Sequence, residues 1–273
     1  MLQRLYNKAL FHVGQRIRTG HVLKVIQELV AATPGEPRVL DAGAGGGGIS
    51  LAIAASERRC RVEAIELVAE KVEAARAQAR ARGLSNVDFS TGDVTWLDRP
   101  GRYDLVISVD VLEHIENDAA ALSSVCEALV PGGRLVLHVP RAAPRRFLPC
   151  LENYQQDDHV RDGYTLEALC TRLTAAGLRV CSISGTFGAA GELAWELMQI
   201  GLRWRERPGE LLRIACWPML RLLCAVDIAG HGRRNGNGLL VVAERPRVVP
   251  DAGALSVAAT ATTRRTAMAG SPR

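Results

Sequence analysis

The stretch VLDAGAGGGGIS, residues Val39–Ser50, decides how this chain is read. An apolar run ends in Asp41, and five glycines follow at Gly43 and Gly45 to Gly48 before apolar residues resume. That is the pattern of a strand turning into a helix. Glycine adopts positive φ without a Cβ clash and lets backbone approach a ligand closely. Gly43, Gly45 and Gly48 match GxGxxG, a pattern too permissive to choose the ligand alone.

Outward from the loop, short apolar runs alternate with helical periodicity. Strands are expected at Arg38–Asp41, Arg61–Ile65, Val87–Ser90, Tyr103–Ser108, Arg134–Val139, Leu178–Ser184 and Leu239–Ala243. Helices are expected at Gly46–Ser56, Val68–Arg82, Asn117–Leu129 and Thr165–Ala176, with Gly83 and Gly177 as stops and Thr165 as a cap. Residues 1–32 read as one or two helices with a break near Thr19–Gly20, and 1–34 as an N-terminal helical cap. Continuous apolar strands between helices indicate an α/β fold: a parallel sheet covered on both faces. The domain is expected over 35–245, with a long insertion at about 187–236 and a disordered tail at 246–273.

In such sheets ligands bind beyond the carboxyl ends of the strands. Three acids stand there: Asp41, Glu66 and Asp93. Glu66 would suit the ribose of a dinucleotide, but Asp41 would repel a pyrophosphate. Asp41 suits instead a ligand bearing an ammonium or sulfonium, and Asp93 could accept from an exocyclic amine such as that of adenine. An NAD(P)-dependent oxidoreductase is the alternative reading of the same loop.

The set VLDAGAGGGG, IEL, TGDV, YDLVISVDVLEHI and LVPGGRLVLHVP resembles the class I S-adenosylmethionine-dependent methyltransferases, closest to a bacterial small-molecule branch with LEHI after strand four. The resemblance covers about residues 35–185. It implies a Rossmann-like, seven-stranded, mostly parallel sheet with an antiparallel last strand and S-adenosylmethionine as cofactor. By resemblance Asp41, Gly43, Ala44, Gly45 and Gly47 border the methionine moiety. Glu66 and Leu67 hold the ribose, Asp93 and Val94 flank adenine, and Asp110 lines the methyl-transfer face.

Methyl transfer requires alignment of nucleophile, methyl carbon and sulfur, plus a base only where the acceptor is protonated. Asp110, His114 and His159 are the catalytic candidates. His114 either takes a proton or, with Glu113, locks its turn. His159, with Arg161 and Tyr164, either faces the acceptor or fixes the loop after strand five. Asp110-x-x-Glu113-His114 resembles the acid-x-x-Glu-His pattern that binds a divalent metal in some O-methyltransferases of vicinal hydroxyls. The usual first acid there is Glu, and no second histidine stands at the expected spacing, so no metal ligand is assigned. His138 reads as a satisfied core residue, and His12, His21 and His231 join no pattern.

The insertion holds ELAWELMQIGLRWRE and ELLRIACWPMLRLLCAVDIAG. Pro218 is expected to kink or split the second segment. The helices either close as a lid over an apolar acceptor, walled by Trp195, Trp204 and Trp217, or dip into a membrane surface through 211–228 with Arg213 and Arg221 at the headgroups.

Composition narrows the partners. The net charge is +5 over 273 residues. Four arginines against one acid in the last 28 residues supply most of it, so no basic track for nucleic acid is expected. Seven cysteines without a CxxC pair read as small core residues of a reducing compartment. No secretory h-region or 18-residue apolar span stands out, so the cytoplasm, with possible membrane contact, is the expected place. The acceptor is expected to be a small or lipid-like metabolite with an oxygen or nitrogen nucleophile.

Overall fold

A computed structural model describes residues 13–151, 159–203, 207–232 and 235–247, with backbone alone for 201–203 and 207–214. Seven strands form one sheet: β1 (Arg38–Ala42), β2 (Arg61–Glu66), β3 (Val87–Thr91), β4 (Tyr103–Val109), β5 (Leu129–Pro140), β6 (Arg179–Thr186) and β7 (Gly238–Glu244). Their order is β3-β2-β1-β4-β5-β7-β6. β1 to β5 pair in parallel, and β7 runs antiparallel to both β5 and β6. From β1 the chain builds outward to β3 and then crosses to β4 on the other side. The crevice between the carboxyl ends of β1 and β4 is therefore the switch point where such sheets bind ligands.

The helices are α1 (Val13–Ala32), α2 (Gly48–Ser56), α3 (Ala69–Ala81), α4 (Asp118–Ala128), α5 (Leu166–Ala175), α6 (Ala189–Arg203) and α7 (Arg207–Ala229). The continuous apolar strands are explained by two cores. Leu40, Val106, Leu135 and Val241 face α4 and α5 through Leu122, Val125, Leu169 and Leu173. Their neighbours Val39, Leu105, Ile107 and Val136 face α1, α2 and α3 through Ile26, Leu51 and Val72. A third cluster joins α1, α6 and α7 through Val13, Ile17, Ala194, Met198, Leu220 and Cys224.

Several local expectations are corrected. α1 runs unbroken through Thr19–Gly20. A Cβ on Gly20 would lie 2.5 Å from Ile228 Cδ1, so this glycine is a notch for α7 and not a break. α7 likewise runs through Pro218 as one helix. Proline removes one backbone donor and costs about 3 kcal/mol, which burial of Leu220 and Cys224 against α1 and α6 offsets. β5 begins at Leu129 and absorbs the Pro131-Gly132-Gly133 stretch through a register irregularity against β4. His21 and His231 do form a group: His21 Nε2 lies 3.0 Å from Asp227 Oδ2 and His21 Nδ1 2.9 Å from His231 Nδ1, tying α1 to the end of α7. Only Cys60, Cys126 and Cys224 are buried, while Cys150 and Cys181 are exposed, so the cysteines are not uniformly core residues. His12, Trp204, the side chain of Arg213 and the expected tail beyond Arg247 lie outside the described residues.

Candidate active site

The loop between β1 and α2 sorts its glycines by conformation. Gly43, Gly45 and Gly47 have φ of 89°, 54° and 76°, whereas Gly46 and Gly48 are not in the left-handed region. The alternate glycines are thus the ones the backbone requires, not the Gly43, Gly45, Gly48 spacing of GxGxxG. Gly43 and Ala44 both donate to the carbonyl of Ile65 at 2.9 Å, which pins the loop to the end of β2. Beside Gly45 and Gly46 nothing lies within 4 Å of an added Cβ, so this side of the loop is open to a ligand.

The three acids differ in environment. Glu66 is held against the loop, its Oε2 accepting from Gly45 N–H at 2.9 Å and its Oε1 from Val68 N–H at 3.2 Å. Asp93 is exposed and its Oδ1 accepts from the Thr95 amide and hydroxyl, each at 2.8 Å. Leu67, 68% exposed, stands on the same open rim, while Val94 is buried. Asp41 is 2% exposed, and Ser50 Oγ donates to its Oδ2 at 2.5 Å. Burial, reinforced by the charge of Glu66, raises its carboxyl to about 6 against the pull of the Ser50 bond. Asp41 is therefore an inward-bonded anchor of the loop, not the open carboxylate that the sequence suggests.

At the end of β4 the backbone turns sharply. Asp110 has φ 52°, and its Oδ1 lies 2.5 Å from His138 Nδ1 on β5. Its Oδ2 accepts from Arg18 of α1. Burial alone would raise its carboxyl, but Arg18 and then His138 outweigh that and hold it down at about 2. His138 is buried and bonds on its far side to Thr186 Oγ1 at 2.7 Å, so it is satisfied at both nitrogens as expected.

A short 3₁₀ turn, Leu112–His114, follows. Val160 and Arg161 N–H donate to the carbonyl of Glu113, and Tyr164 and Arg161 bond the carbonyl of Leu112. Bonds to the backbone carbonyls of Leu112 and Glu113, from both the backbone and the side chains of the following loop, thus help dock the loop after β5 on this turn. The docking brings His159 against His114, ring centroids 4.7 Å apart and edge to face. Ligand atoms of Glu113, His114 and His159 all lie within 4.8 Å of one another. Glu113 is 1% exposed, with Oε2 buried and lacking a hydrogen-bond partner. Burial first, and the charge of Asp110 second, lift its carboxyl to about 8. The second histidine that spacing did not supply is brought by the loop, 45 residues downstream of His114 in the chain.

A cavity of about 520 Å³ opens here, lined by Asp110, Glu113, His138 and His159 from the sheet edge and by Phe187, Glu192 and Trp195 from the start of the insertion. His114 is exposed and does not line it. Among the described residues the non-glycine positions at positive φ are Asp110, Ala143 and Phe187, and all three line this cavity. Each such residue costs of order 1–3 kcal/mol, and strain of this kind collects at functional sites. Sequence reading missed Arg18, Phe187 and the Arg146–Glu192 pair, with Arg146 also stacked over Trp195 at 4.5 Å. No local signal marks them, because three separate segments bring them together.

Residues 15–183 match a family model described as a methyltransferase domain. A ubiquinone biosynthesis O-methyltransferase of Xanthomonas euvesicatoria is 30% identical over 158 residues, covering 54% of this chain and 65% of that protein. An (S)-coclaurine N-methyltransferase of Thalictrum flavum is 30% identical over 120 residues, 44% of this chain and 33% of that one. The chain thus spans less than two thirds of either relative. In fold it is similar to phosphoethanolamine N-methyltransferase 2 of Haemonchus contortus in complex with S-adenosyl-L-methionine, with TM-score 0.60, 19% identity, and 83% and 52% of the two chains covered. The [4+2]-cyclase SpnF shares the fold with TM-score 0.58, 20% identity, and 82% and 81% covered. The match over 15–183 and the glycine loop at the sheet's switch point carry one conclusion: the chain belongs to the class I S-adenosylmethionine-dependent methyltransferases.

Proposed function

We propose that this enzyme methylates a hydroxyl oxygen of a small or lipid-like metabolite. The observation that carries the reading is the cavity beyond the carboxyl end of β4, lined by a largely neutral Glu113 and by His159, which stands against His114. The O-methyltransferase relative supports oxygen as the acceptor atom. When bound, S-adenosylmethionine supplies an activated methyl group on a sulfonium.

Each residue has a proposed task. The open side of Gly45 and Gly46 receives the amino-acid end of the cofactor, and Glu66, with Leu67 on the rim, takes the ribose hydroxyls. Asp93 and Val94 border the adenine. Asp110, kept ionised by Arg18 and His138, sits at the methyl-transfer face. His159 lines the cavity and takes the acceptor's proton, while His114 behind it orients the ring. Glu113, largely neutral at pH 7, serves as a hydrogen-bond donor to the acceptor. With methyl-labelled cofactor and a panel of hydroxylated and amino acceptors, O-methyl products are expected. His159→Ala should lower kcat by about 10²-fold or more with unchanged affinity for S-adenosylhomocysteine. Exclusively N-methyl products, or a variant as fast as wild type, would refute this assignment.

One observation favours a second reading. The unpartnered Glu113 Oε2 within reach of two histidines suits a divalent cation as well as a proton. Glu113, His114 and His159 would hold the ion, which would acidify an acceptor hydroxyl, as in a quinol-type substrate. Full activity after chelation, with no Mn²⁺ binding by the protein, would reject this variant and leave His159 as the base.

A further inference from the structure

The two insertion helices do different things. α6 supplies Glu192 and Trp195 to the cavity wall. No described residue of α7 lines that cavity. α7 packs behind α6, with Leu220, Cys224 and Asp227 turned inward and buried. Its opposite side is apolar as well. Ala215, Pro218, Met219, Leu222, Ala225, Val226 and Ala229 are all exposed. At 100° per residue they fall on an arc of about 120°, centred opposite the buried trio. Met219 is 45% exposed, Leu222 65% and Val226 51%, which makes this a continuous uncovered stripe.

We infer that the outward face of α7 is a docking surface for an anionic lipid bilayer, holding the acceptor cavity at the membrane interface. This rests on the reading of the cavity as the site of a lipid-like acceptor. Two observations select the bilayer. Among the described residues of α7 the exposed charged side chain is Arg221, about 40° beyond the edge of the stripe, where a cation reaches headgroups while apolar neighbours sink. No described helix is long and apolar enough to cross a membrane, so α7 would lie in the interface plane. A second copy of the chain is a poorer occupant. Fifteen residues make a stripe about 22 Å long and about 10 Å wide, roughly 220 Å², well short of the about 800 Å² per partner of a stable interface.

The test is co-sedimentation of the full chain with phosphatidylglycerol-containing vesicles and with pure phosphatidylcholine vesicles. The wild type should partition to the anionic vesicles at least tenfold more strongly. Leu222→Gln with Val226→Gln should reduce that partition at least tenfold, and Arg221→Gln severalfold, with affinity for S-adenosylhomocysteine unchanged as the check on folding. No vesicle association at low salt, or equal binding by the double variant, would overturn the inference. So would a wild-type dimer in light scattering that the double variant abolishes. Activity on soluble acceptors separates the two readings: transfer without vesicle binding sinks only the docking surface. Vesicle binding without transfer to any hydroxylated acceptor sinks only the acceptor reading.

Discussion

Glu113 and Asp41 are both carboxyls lifted by burial, and each makes a pH-dependent prediction. The folded value of Glu113 is about 8 against an ordinary 4.5. A raised carboxyl favours folding while it is neutral. Its contribution is complete below about pH 4.5 and is lost as pH rises through about 8. Glu113→Gln should therefore gain stability relative to wild type as pH rises from 5 to 9, levelling above about 8. Even a tenfold preference for the neutral form is about 1.4 kcal/mol, or about 3–5 °C for a chain of this size. Thermal midpoints of both proteins across that range check this, and a constant difference would contradict it. Asp41, at about 6, should release a proton when a cationic ligand arrives beside it. Calorimetry near pH 6 in buffers of different ionisation enthalpy should register that release, and Asp41→Asn should abolish it. The sequence made the acids legible as a set, because Asp41, Glu66 and Asp93 stand at or just beyond the carboxyl ends of successive strands. It did not reveal that Asp41 bonds inward to Ser50, since the fold alone brings α2 back over that carboxyl.

At the scale of elements, the strands and their helices were legible because both periods are local. Helix–helix contacts were not. Gly20 looked like a breaker and is a packing notch against Ile228. Gly20→Val should force Ile228 away and cost about 1–3 kcal/mol by overpacking. Urea unfolding measures this, and an unchanged midpoint would show that α7 is not held there. His159 is the same lesson at the site. Its distance from His114 in the chain hides a contact that Val160, Arg161 and Tyr164 create by docking their loop on Leu112 and Glu113. The lid and membrane alternatives for the insertion also could not be separated in one dimension. Only packing assigns the cavity wall to α6 and the uncovered stripe to α7.

For the whole molecule, the parallel sheet places every proposed ligand contact on one edge. The glycine loop, Glu66 and Asp93 follow β1, β2 and β3, and Asp110 follows β4. A cofactor that fills this edge should stabilise the folded chain by about 2.7 kcal/mol at a hundredfold excess over Kd. The most direct test of the account is calorimetric titration with S-adenosylhomocysteine and, separately, with NAD. One S-adenosylhomocysteine should bind per chain, NAD should not, and Glu66→Ala should weaken the former at least tenfold. Binding of NAD alone, or an unchanged constant in Glu66→Ala, would contradict the placement of the cofactor at this loop.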